Sequence, residues 1–434
     1  MGDDQQEAGG RRPQRVGPDR RVRPDRHGLA ATAPALEPGA DARPGGPPDG
    51  PADREVLRAM ADEAGLRRIH FVAWRDLDDP EAGGSELHAH RIAGLWAEAG
   101  IDVTFRTSAV LGQSAATTRD GYGVERRSGR YAVFAGAAWE GLRAGHHPGE
   151  GLVEVWNGMP FFSPLWYRGP RIVFLHHVHA EMWRMVLPGW MARLGELIEK
   201  RVAPPFYRGT RIVTLSASSR DEIVEQLRLP AEHVSVVPPG VEPRFSPAGR
   251  RSPTPLVVAV GRLVPVKRFD LLIEALAQAR IRRPDLRAVI VGEGYERPHL
   301  EALRRRHRAE DWLSLPGRLS DDEVLSWYRQ AWVVASTSLR EGWGMTLTEA
   351  GACGTPAVAT DIAGHRDAVL DGRSALLAGD RAATVAGALG EVLADETLRT
   401  RLGRGALERA RWFTWAATAR STLEALATEA DRQR

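Results

Sequence analysis

From about residue 67 onward, short runs of apolar and β-branched residues alternate with longer stretches in which apolar side chains recur every three or four positions. The first pattern predicts buried strands, and the second predicts amphipathic helices. Strands that alternate with helices are typical of βαβ units. The sequence therefore predicts an α/β protein built on parallel sheets.

The alternation falls into two series, separated by the Pro- and Gly-rich stretch Pro238–Pro243, which we interpret as a linker. The first series predicts strands at Arg68–Trp74, Ile101–Thr107, Leu152–Trp156, Arg171–His176, Arg211–Leu215 and Val234–Val237, with helices such as Ser85–Ala99 and Ser218–Leu227. The second predicts strands at Leu256–Gly261, Arg287–Gly292, Trp312–Leu315, Trp332–Ser336 and Ala357–Thr360, with helices such as Asp270–Arg280 and Thr346–Cys353.

These series predict two Rossmann-like, doubly wound domains, at residues 56–245 and 246–412. A helix follows within residues 413–434, and its packing back across the first domain is an open option. Residues 1–55 are rich in Pro, Gly, Arg and Asp and have no apolar period, so they are predicted to be a disordered tail. Neither a Sec-type signal peptide nor a transmembrane helix is expected.

The composition of the chain limits the classes of protein to which it can belong. Of 434 residues, 43% are hydrophobic and 26% are charged, which is typical of soluble globular proteins. The net charge of +3 is too balanced to favour nucleic acid as a partner. The single cysteine, Cys353, cannot form an internal disulfide, which fits a reducing cytoplasm. We expect a cytoplasmic protein, with peripheral contact to the inner face of the membrane left open.

A basic loop follows the first strand of the second domain and carries Arg262 and Lys267. Ligands of open parallel sheets bind at the carboxyl ends of the strands. A guanidinium and an ammonium at such a place suit a diphosphate, because together they neutralise charge on a departing phosphate. The alternative is a solvated basic turn. The chain has only two lysines, Lys200 and Lys267, and the second favours the functional interpretation.

Two carboxylates, Glu341 and Glu349, stand eight positions apart after a later strand, with Gly342 and Gly344 between them. Carboxylates accept hydrogen bonds from sugar hydroxyls, and glycines allow the backbone to approach a ligand closely. The spacing alone is common by chance. The flanking glycines, including those in Ala350–Pro356, make a ligand site the better interpretation.

At this point the chain resembles the donor domain of the family 4 retaining glycosyltransferases, which have the GT-B fold. The motifs that carry the resemblance are Val260-Gly261-Arg262-Leu263 with Lys267, Val291-Gly292-Glu293-Gly294, Gly317-Arg318-Leu319-Ser320, and Glu341 to Glu349 with Gly354-Thr355-Pro356. The resemblance is specific over about residues 239–371 and weaker over 69–219. It departs after Asp361, where Ala363–Asp367 replaces the family's usual Gly-Gly pair and glutamate.

The resemblance implies a hexose transferase that uses a nucleotide-diphosphate sugar, retains the anomeric configuration and needs neither a metal nor another cofactor. A glycan, a glycolipid or a small molecule would supply the accepting hydroxyl. Arg262 and Lys267 would hold the diphosphate, Glu341 the transferred sugar and Glu349 the ribose, and the backbone near Arg318 and Leu319 would meet the base. The remaining donor-binding residues that it implies are Gly83, Gly84, Gly342, Gly344, Met345 and Thr346.

Two segments of the first domain are expected to face this donor site. Gly83 and Gly84 lie between a strand and a helix, where they form an anion cradle, although a plain N-cap at Ser85 is the alternative. Further on, His176 ends a strand and by resemblance lies near the reacting carbon, with His179 the next candidate. A metal site in this histidine cluster is disfavoured, because the spacing lacks the i, i+4 arrangement of a helical zinc pair.

Helix Leu187–Val202 carries apolar residues at helical spacing and is predicted to be mostly core. Trp183, Met185, Trp190 and Met191 beside basic residues leave open the docking of a lipid-linked acceptor or a membrane surface.

Three other functions are alternatives to the transferase. A nicotinamide oxidoreductase is disfavoured, because Gly292-Glu293-Gly294 lacks the third glycine of the dinucleotide fingerprint and has Arg297 there. A non-catalytic carbohydrate- or nucleotide-binding protein on a GT-B fold is the principal alternative. A nucleotide-sugar hydrolase or phosphorylase on the same fold also stays open.

Overall fold

The computed structural model describes residues 51–179, 182–186 and 188–434. Most of the expected tail therefore lies outside the described residues. Its predicted end at residue 55 is wrong, because helix α1 spans Pro51–Glu63. Leu57 and Ala61 of this helix are buried in the core of the first domain, and that burial favours helix over an unpacked chain.

Within the described residues, the first sheet has eight strands in the spatial order β3-β4-β2-β1-β5-β6-β7-β8. Its strands are β1 (Arg68–Val72), β2 (Asp102–Thr107), β3 (Ala116–Arg119), β4 (Tyr122–Arg126), β5 (Glu150–Val155), β6 (Arg171–Phe174), β7 (Arg211–Thr214) and β8 (Val234–Val236). The accompanying helices are α2 (Gly84–Glu98), α3 (Val133–Ala144), α4 (Met182–Val186), α5 (Gly189–Leu197), α6 (Pro204–Tyr207) and α7 (Ala217–Leu227).

All neighbouring strands of this sheet are parallel except β3 and β4, which form an antiparallel hairpin that we had not predicted. Its turn residues, Asp120 and Gly121, both have positive φ, 45° and 84°. A two-residue turn of this kind matches the natural twist of the strands that it joins.

Within the described residues, the second sheet has six parallel strands in the order β11-β10-β9-β12-β13-β14. The strands are β9 (Leu256–Val260), β10 (Arg287–Val291), β11 (Leu313–Gly317), β12 (Val333–Ser336), β13 (Ala357–Thr360) and β14 (Ala375–Ala378), the last of which was not predicted. The helices are α8 (Phe269–Arg282), α9 (Arg297–Arg306), α10 (Asp321–Gln330), α11 (Met345–Ala352), α12 (Ala363–Ala368), α13 (Ala382–Ala394) and α14 (Glu396–Ala410). Strand order reverses at β9, so the basic loop that follows β9 lies at the switch point where ligands bind.

The last helix, α15 (Trp415–Gln433), returns to the first domain. Trp415, Leu423 and Leu426 are at most 1% exposed and belong to the core that includes β1 and α2. At the crossing, the Val241 N–H donates to the Phe413 carbonyl, 3.0 Å away. The C-terminal segment is therefore part of the first domain's core.

The two domains meet along the cleft at the carboxyl ends of their sheets. The backbone N–H of Ser218, in the first domain, donates to Oδ2 of Asp367, in the second, at 3.1 Å. Arg340 of the second domain pairs with Glu222 of the first. These contacts keep the cleft loops of the two domains close together.

The prediction that helix Leu187–Val202 is mostly core is wrong in the residues that the structure describes. Trp190, Leu194 and Leu197 are 70%, 49% and 51% exposed. The face that packs inward carries small residues instead, and Ala192 is buried while Trp183 lies against Gly195. Regular helical spacing of apolar residues therefore identified one face of the helix, but not which face is buried. In the part of the chain that the structure describes, no helix is both long and apolar enough to cross a membrane.

We expect Leu423→Ala in α15 to lower the free energy of unfolding of the first domain by about 2–5 kcal/mol, because it removes buried methyl groups and leaves a cavity. Urea unfolding followed by tryptophan fluorescence measures this change. Glu424→Ala, at the exposed neighbouring position, is the control and should shift stability little. Equal effects of the two variants would contradict the docking of α15 on this core.

Candidate active site

The loop after β9 is shaped by close backbone contact with the loop after β10. Gly292 and Gly294 have φ of 144° and 158°. A Cβ on either would overlap the carbonyl oxygen of Gly261 or Leu263. The Leu263 N–H donates to the Glu293 carbonyl at 2.8 Å, which fixes the loop that carries Arg262 and Lys267. The glycines of this motif therefore support the basic loop sterically.

Lys267 lies on the 3-10 turn Pro265–Lys267, and its Nζ pairs with Oε1 of Glu341. The Ser338 hydroxyl donates to the same carboxylate oxygen at 2.7 Å. Burial opposes ionisation of Glu341, but the charge of Lys267, the effect of His365 and the hydrogen bonds from Lys267 and Ser338 together outweigh it and lower the pKa of the carboxyl to about 2. The side chains are 23% and 18% exposed, so ligand can reach both. The structure thus brings together a cation and a carboxylate that stand 74 positions apart.

The segment after Glu341 turns sharply into α11. Gly342 packs against the backbone carbonyl of His176, where a Cβ would not fit. Gly344 has φ of 112° and precedes the first residue of α11, Met345, so the first N–H groups of that helix follow the Glu341 segment directly and lack partners within the helix. Thr346, which follows Met345, is partly exposed at this helix end.

Glu349 lies one turn into α11, and the Tyr328 hydroxyl donates to its Oε2 at 3.1 Å. Burial raises the pKa of Glu349 to about 7, and the nearby carboxylates Asp321 and Glu242 add to the rise. Glu341 is therefore held ionised, whereas Glu349 titrates near neutrality. The surroundings of the two glutamates therefore shift their pKa values in opposite directions.

The Gly83 and Gly84 loop lies directly opposite these motifs. The position that a Cβ on Gly83 would take is 3.3 Å from Nε of Arg262, and that of Gly84 is 3.3 Å from Sδ of Met345. Arg262 also donates from Nη1 to the Glu81 carbonyl across the cleft, at 3.0 Å. The absence of a side chain at Gly83 leaves space for the Arg262 guanidinium, and its absence at Gly84 leaves space for Met345.

The start of α2 explains why this loop is ordered. Gly83 rather than Ser85 is the N-cap, and the alternative interpretation of Ser85 as the cap is wrong. The Glu86 carboxylate accepts from the Gly83 N–H at 2.8 Å and from the Ser85 hydroxyl at 2.9 Å. Asn157 donates to the same carboxylate at 3.1 Å and so ties the loop to the segment after β5.

The structure does not bring the His176 side chain to this cleft. Its ring is 5% exposed and lies 4.9 Å from the His88 ring, centroid to centroid, inside the first domain. Ile172, Phe174 and His176 alternate onto one face of the extended chain, and both apolar residues belong to the core beneath α2. Continued alternation therefore carries His176 into the core side, away from the position that we expected.

His177 and His179 occupy the cleft side instead, with ring centroids 4.8 Å apart. Burial is the largest cause that lowers the pKa of His177, to about 3, and the positive charges of Arg340 and Arg262 act in the same direction. Burial also lowers the pKa of His179 well below its usual value, with contributions from His177, Arg75, Arg340 and Arg262. Both rings are therefore neutral at neutral pH.

Four polar atoms around these histidines make no hydrogen bond to any residue that the structure describes. They are Nε2 of His177, Nδ1 of His179, Nε of Arg75 and Nε of Arg340. All four atoms are buried, and together they make this side of the cleft polar. Arg75 was not predicted, although its place just after β1, at the carboxyl edge of the sheet, was the available signal.

A buried carboxylate holds the histidine loop. Glu199 is fully buried and accepts from the His179 backbone N–H at 2.8 Å and from Nε1 of Trp183 at 3.0 Å. It lies in the π-helical segment Ile198–Val202. The sequence pattern gave no sign of this role, because Glu199 is separated from the loop by 20 positions.

The remaining motif residues lie around the cleft or pack against its loops. Arg318 is exposed after β11, and Leu319 packs against the core of the second domain. Gly364, the glycine retained in the departing motif, lies against the Glu341 backbone, and Asp367 holds Ser218. Among the described residues, no group of three or more His, Cys, Asp or Glu is arranged to hold a metal ion.

Two family models match the chain in tandem. The model described as Glycosyltransferase Family 4 matches residues 82–245, and the model described as Glycosyl transferases group 1 matches residues 242–409. A relative named D-inositol 3-phosphate glycosyltransferase, from Streptomyces bingchenggensis, is 30% identical over 390 residues, which cover 80% of this chain and 85% of the relative. Another relative of that name, from Pseudarthrobacter chlorophenolicus, is 28% identical and covers 86% and 97% of the two chains.

Solved structures agree on the fold. Sucrose-phosphate synthase from Thermosynechococcus elongatus superposes with a TM-score of 0.69 at 19% identity, covering 82% of this chain and 97% of its own. The HepE protein of Anabaena, solved in complex with UDP-glucose, gives 0.65 at 18% identity, covering 82% and 98%. The fold and the site define a GT-B glycosyltransferase. The chain belongs to the family 4 glycosyltransferases.

We expect Glu349→Gln to alter the pH dependence of stability. A carboxyl whose pKa is raised from 4.5 to about 7 by folding stabilises the protein below pH 4.5, and this contribution is lost as pH rises through about 7. Relative to the Gln variant, the wild type should lose stability between these values. Urea midpoints measured across that range test this.

Glu408→Gln, on the exposed side of α14, is the matched control and should run parallel to the wild type. A difference between wild type and Glu349→Gln that does not change with pH would contradict a raised pKa at Glu349.

Proposed function

We propose that the protein transfers a hexose from a nucleotide-diphosphate sugar to a hydroxyl acceptor, with retention of anomeric configuration and without a metal. The observation that carries the proposal is that Arg262, Lys267, Glu341 and the Gly83 loop converge on one cleft. A Cβ on Gly83 would lie 3.3 Å from Nε of Arg262. Family membership supports the reaction class.

In the proposed reaction, Arg262 and Lys267 stabilise the leaving diphosphate. The guanidinium offers a planar fork, the ammonium a compact charge, and the N–H groups at the start of α11 add further donors. Two side-chain cations at this place supply the charge that a divalent metal supplies in other transferases, which is why we propose a metal-independent reaction.

The carboxylates are assigned to hydroxyl groups. Glu341 is held ionised, so it accepts hydrogen bonds from the transferred sugar, while Glu349, deeper along α11, is proposed to accept from the ribose. The backbone of Arg318 and Leu319 is proposed to contact the base of the nucleotide. The solved HepE complex with UDP-glucose makes UDP-glucose the first donor to test.

For retention, we propose attack on the face that the diphosphate leaves. The bond from the anomeric carbon to the acceptor oxygen forms as the bond to the phosphate oxygen breaks, and the acceptor proton passes to that phosphate oxygen. His177 and His179 line this region as neutral rings. A neutral imidazole accepts a hydrogen bond from the acceptor without repelling the positive charge that develops at the anomeric carbon.

The acceptor side favours an anionic acceptor. Arg75 and Arg340 both act electrostatically on His179, and Arg340 also pairs with Glu222 of the first domain. A phosphorylated polyol matches guanidinium donors of this kind. The relatives' name supports D-inositol 3-phosphate as the first acceptor to assay, with free inositol as the comparison.

We expect Lys267→Ala to lower kcat by about 10²–10³, because one preorganised charge at the leaving group is lost. Product formation is measured with UDP-, GDP-, ADP- and TDP-hexoses, and thermal unfolding confirms that the variant is folded. The chain's other lysine provides the control, since Lys200→Ala should leave kcat unchanged. Near-normal turnover of Lys267→Ala would remove the role assigned to it.

Treatment with excess EDTA should leave turnover unchanged, because the cations that face the leaving group are side chains. The anomeric configuration of the product, read by proton NMR coupling, should match that of the donor. Loss of activity that Mg²⁺ or Mn²⁺ restores would overturn metal independence. A product of the opposite configuration would overturn retention.

A further inference from the structure

A stripe of large apolar side chains runs along the outer face of the segment from α5 to α6. Its members are Trp190, Leu194, Leu197, Val202 and Phe206, and their exposed fractions lie between 42% and 70%. We call these five residues the apolar stripe. Single exposed apolar residues are ordinary, but a contiguous row of five large ones needs a partner to cover it.

The π-helical segment Ile198–Val202 keeps the stripe on one face. Trp190, Leu194 and Leu197 follow α-helical steps of four and three residues. The next step, from Leu197 to Val202, is five residues, which matches the i to i+5 repeat of a π-helix. Without the extra residue in that turn, Val202 and Phe206 would rotate away from the stripe.

The stripe extends onto a neighbouring loop. Phe206 stacks edge-on against Phe162, with ring centroids 5.9 Å apart. Close to Phe162 in the chain, Leu165 is 59% exposed in the turn Ser163–Leu165. The apolar surface is therefore wider than one helix.

The charges around the stripe are positive. Arg168, Arg193, Arg201 and Arg208 are exposed and have no ion pair with any residue in the described part of the chain. The acidic residues of α5 and the π-helical segment do not offset them, because Glu196 pairs with Arg184 at 3.1 Å and Glu199 is fully buried. An apolar row flanked by unpaired arginines complements an anionic interface.

We propose that the apolar stripe and its arginines dock the protein on the surface of an anionic phospholipid bilayer. A tryptophan at the bilayer interface keeps its ring in the apolar boundary, and the arginines reach the headgroups. A second copy of the chain fits less well, because a two-fold interface would set these unpaired arginines against their own counterparts.

The position of the stripe relates this surface to the cleft. Trp183 of α4 packs on Gly195 of α5, and α4 lies against the turn Pro265–Lys267 that carries the donor-site lysine. A bilayer on the stripe would therefore lie beside the cleft mouth. The docking does not depend on the proposed reaction, and it is tested without any assay of transfer.

The test is co-sedimentation of the full chain with vesicles of phosphatidylglycerol and phosphatidylcholine in equal parts, and with phosphatidylcholine alone. We expect binding to the anionic vesicles that weakens with added salt. The double variants Trp190→Gln/Leu194→Gln and Arg193→Gln/Arg201→Gln should each reduce the partition coefficient by about tenfold or more. Ile281→Gln is the matched control, because Ile281 is 80% exposed on α8 of the other domain.

Thermal unfolding of each variant should match the wild type, since every replaced residue is exposed. Failure of the wild type to sediment with anionic vesicles would overturn the proposal, and so would unchanged binding of both double variants. A wild type that elutes as a dimer and an apolar-stripe variant that elutes as a monomer would assign the stripe to a second copy and would also overturn it.

Discussion

The ion pair between Lys267 and Glu341 is the interaction on which the rest of the cleft depends. Each group sits on a different loop of the second domain, and both are largely withdrawn from water. Removing one partner from such a pair costs more than the pair itself contributes, because the other charge stays behind without compensation. The pair therefore sets the relative position of the loops after β9 and β12, from which the Gly342–Met345 turn and α11 follow.

Close backbone packing is the second constraint, and it explains the glycines better than flexibility does. Gly292 and Gly294 let the loop after β10 touch the loop after β9, while Gly342 and Gly364 let the Glu341 segment pass between His176 and α12. Each of these positions lacks room for a methyl group. The glycines of the motifs therefore fix the positions of the charged side chains through backbone packing.

The sequence predicts those features of the fold and the site that depend on residues close together in the chain. Periodicity located most strands and helices to within a few residues, and motif order located Arg262, Lys267, Glu341 and Glu349. The hairpin at Asp120-Gly121 was missed although its turn signal is present, because β3 is almost fully exposed and carries no apolar alternation. The His176 side chain faces the core, as strict alternation from Ile172 and Phe174 indicates, whereas the expectation for it rested on the resemblance alone. Arg75 and the buried Glu199 required tertiary structure, because their neighbours in space are remote in sequence.

The π-helical segment connects the two surfaces of the first domain to which we assign functions. On its inner side, Glu199 accepts hydrogen bonds from the backbone of His179 and the ring of Trp183, so it orders the histidine loop of the cleft. On its outer side, the same turn aligns Val202 with Leu197 and completes the apolar stripe. A regular α-helical turn could keep either Glu199 on the inner side or Val202 in line with Leu197. It would rotate the other side chain around the helix axis by almost the angle between successive residues. The irregular turn is therefore the structural compromise that lets a short helix serve the cleft and the exposed face together.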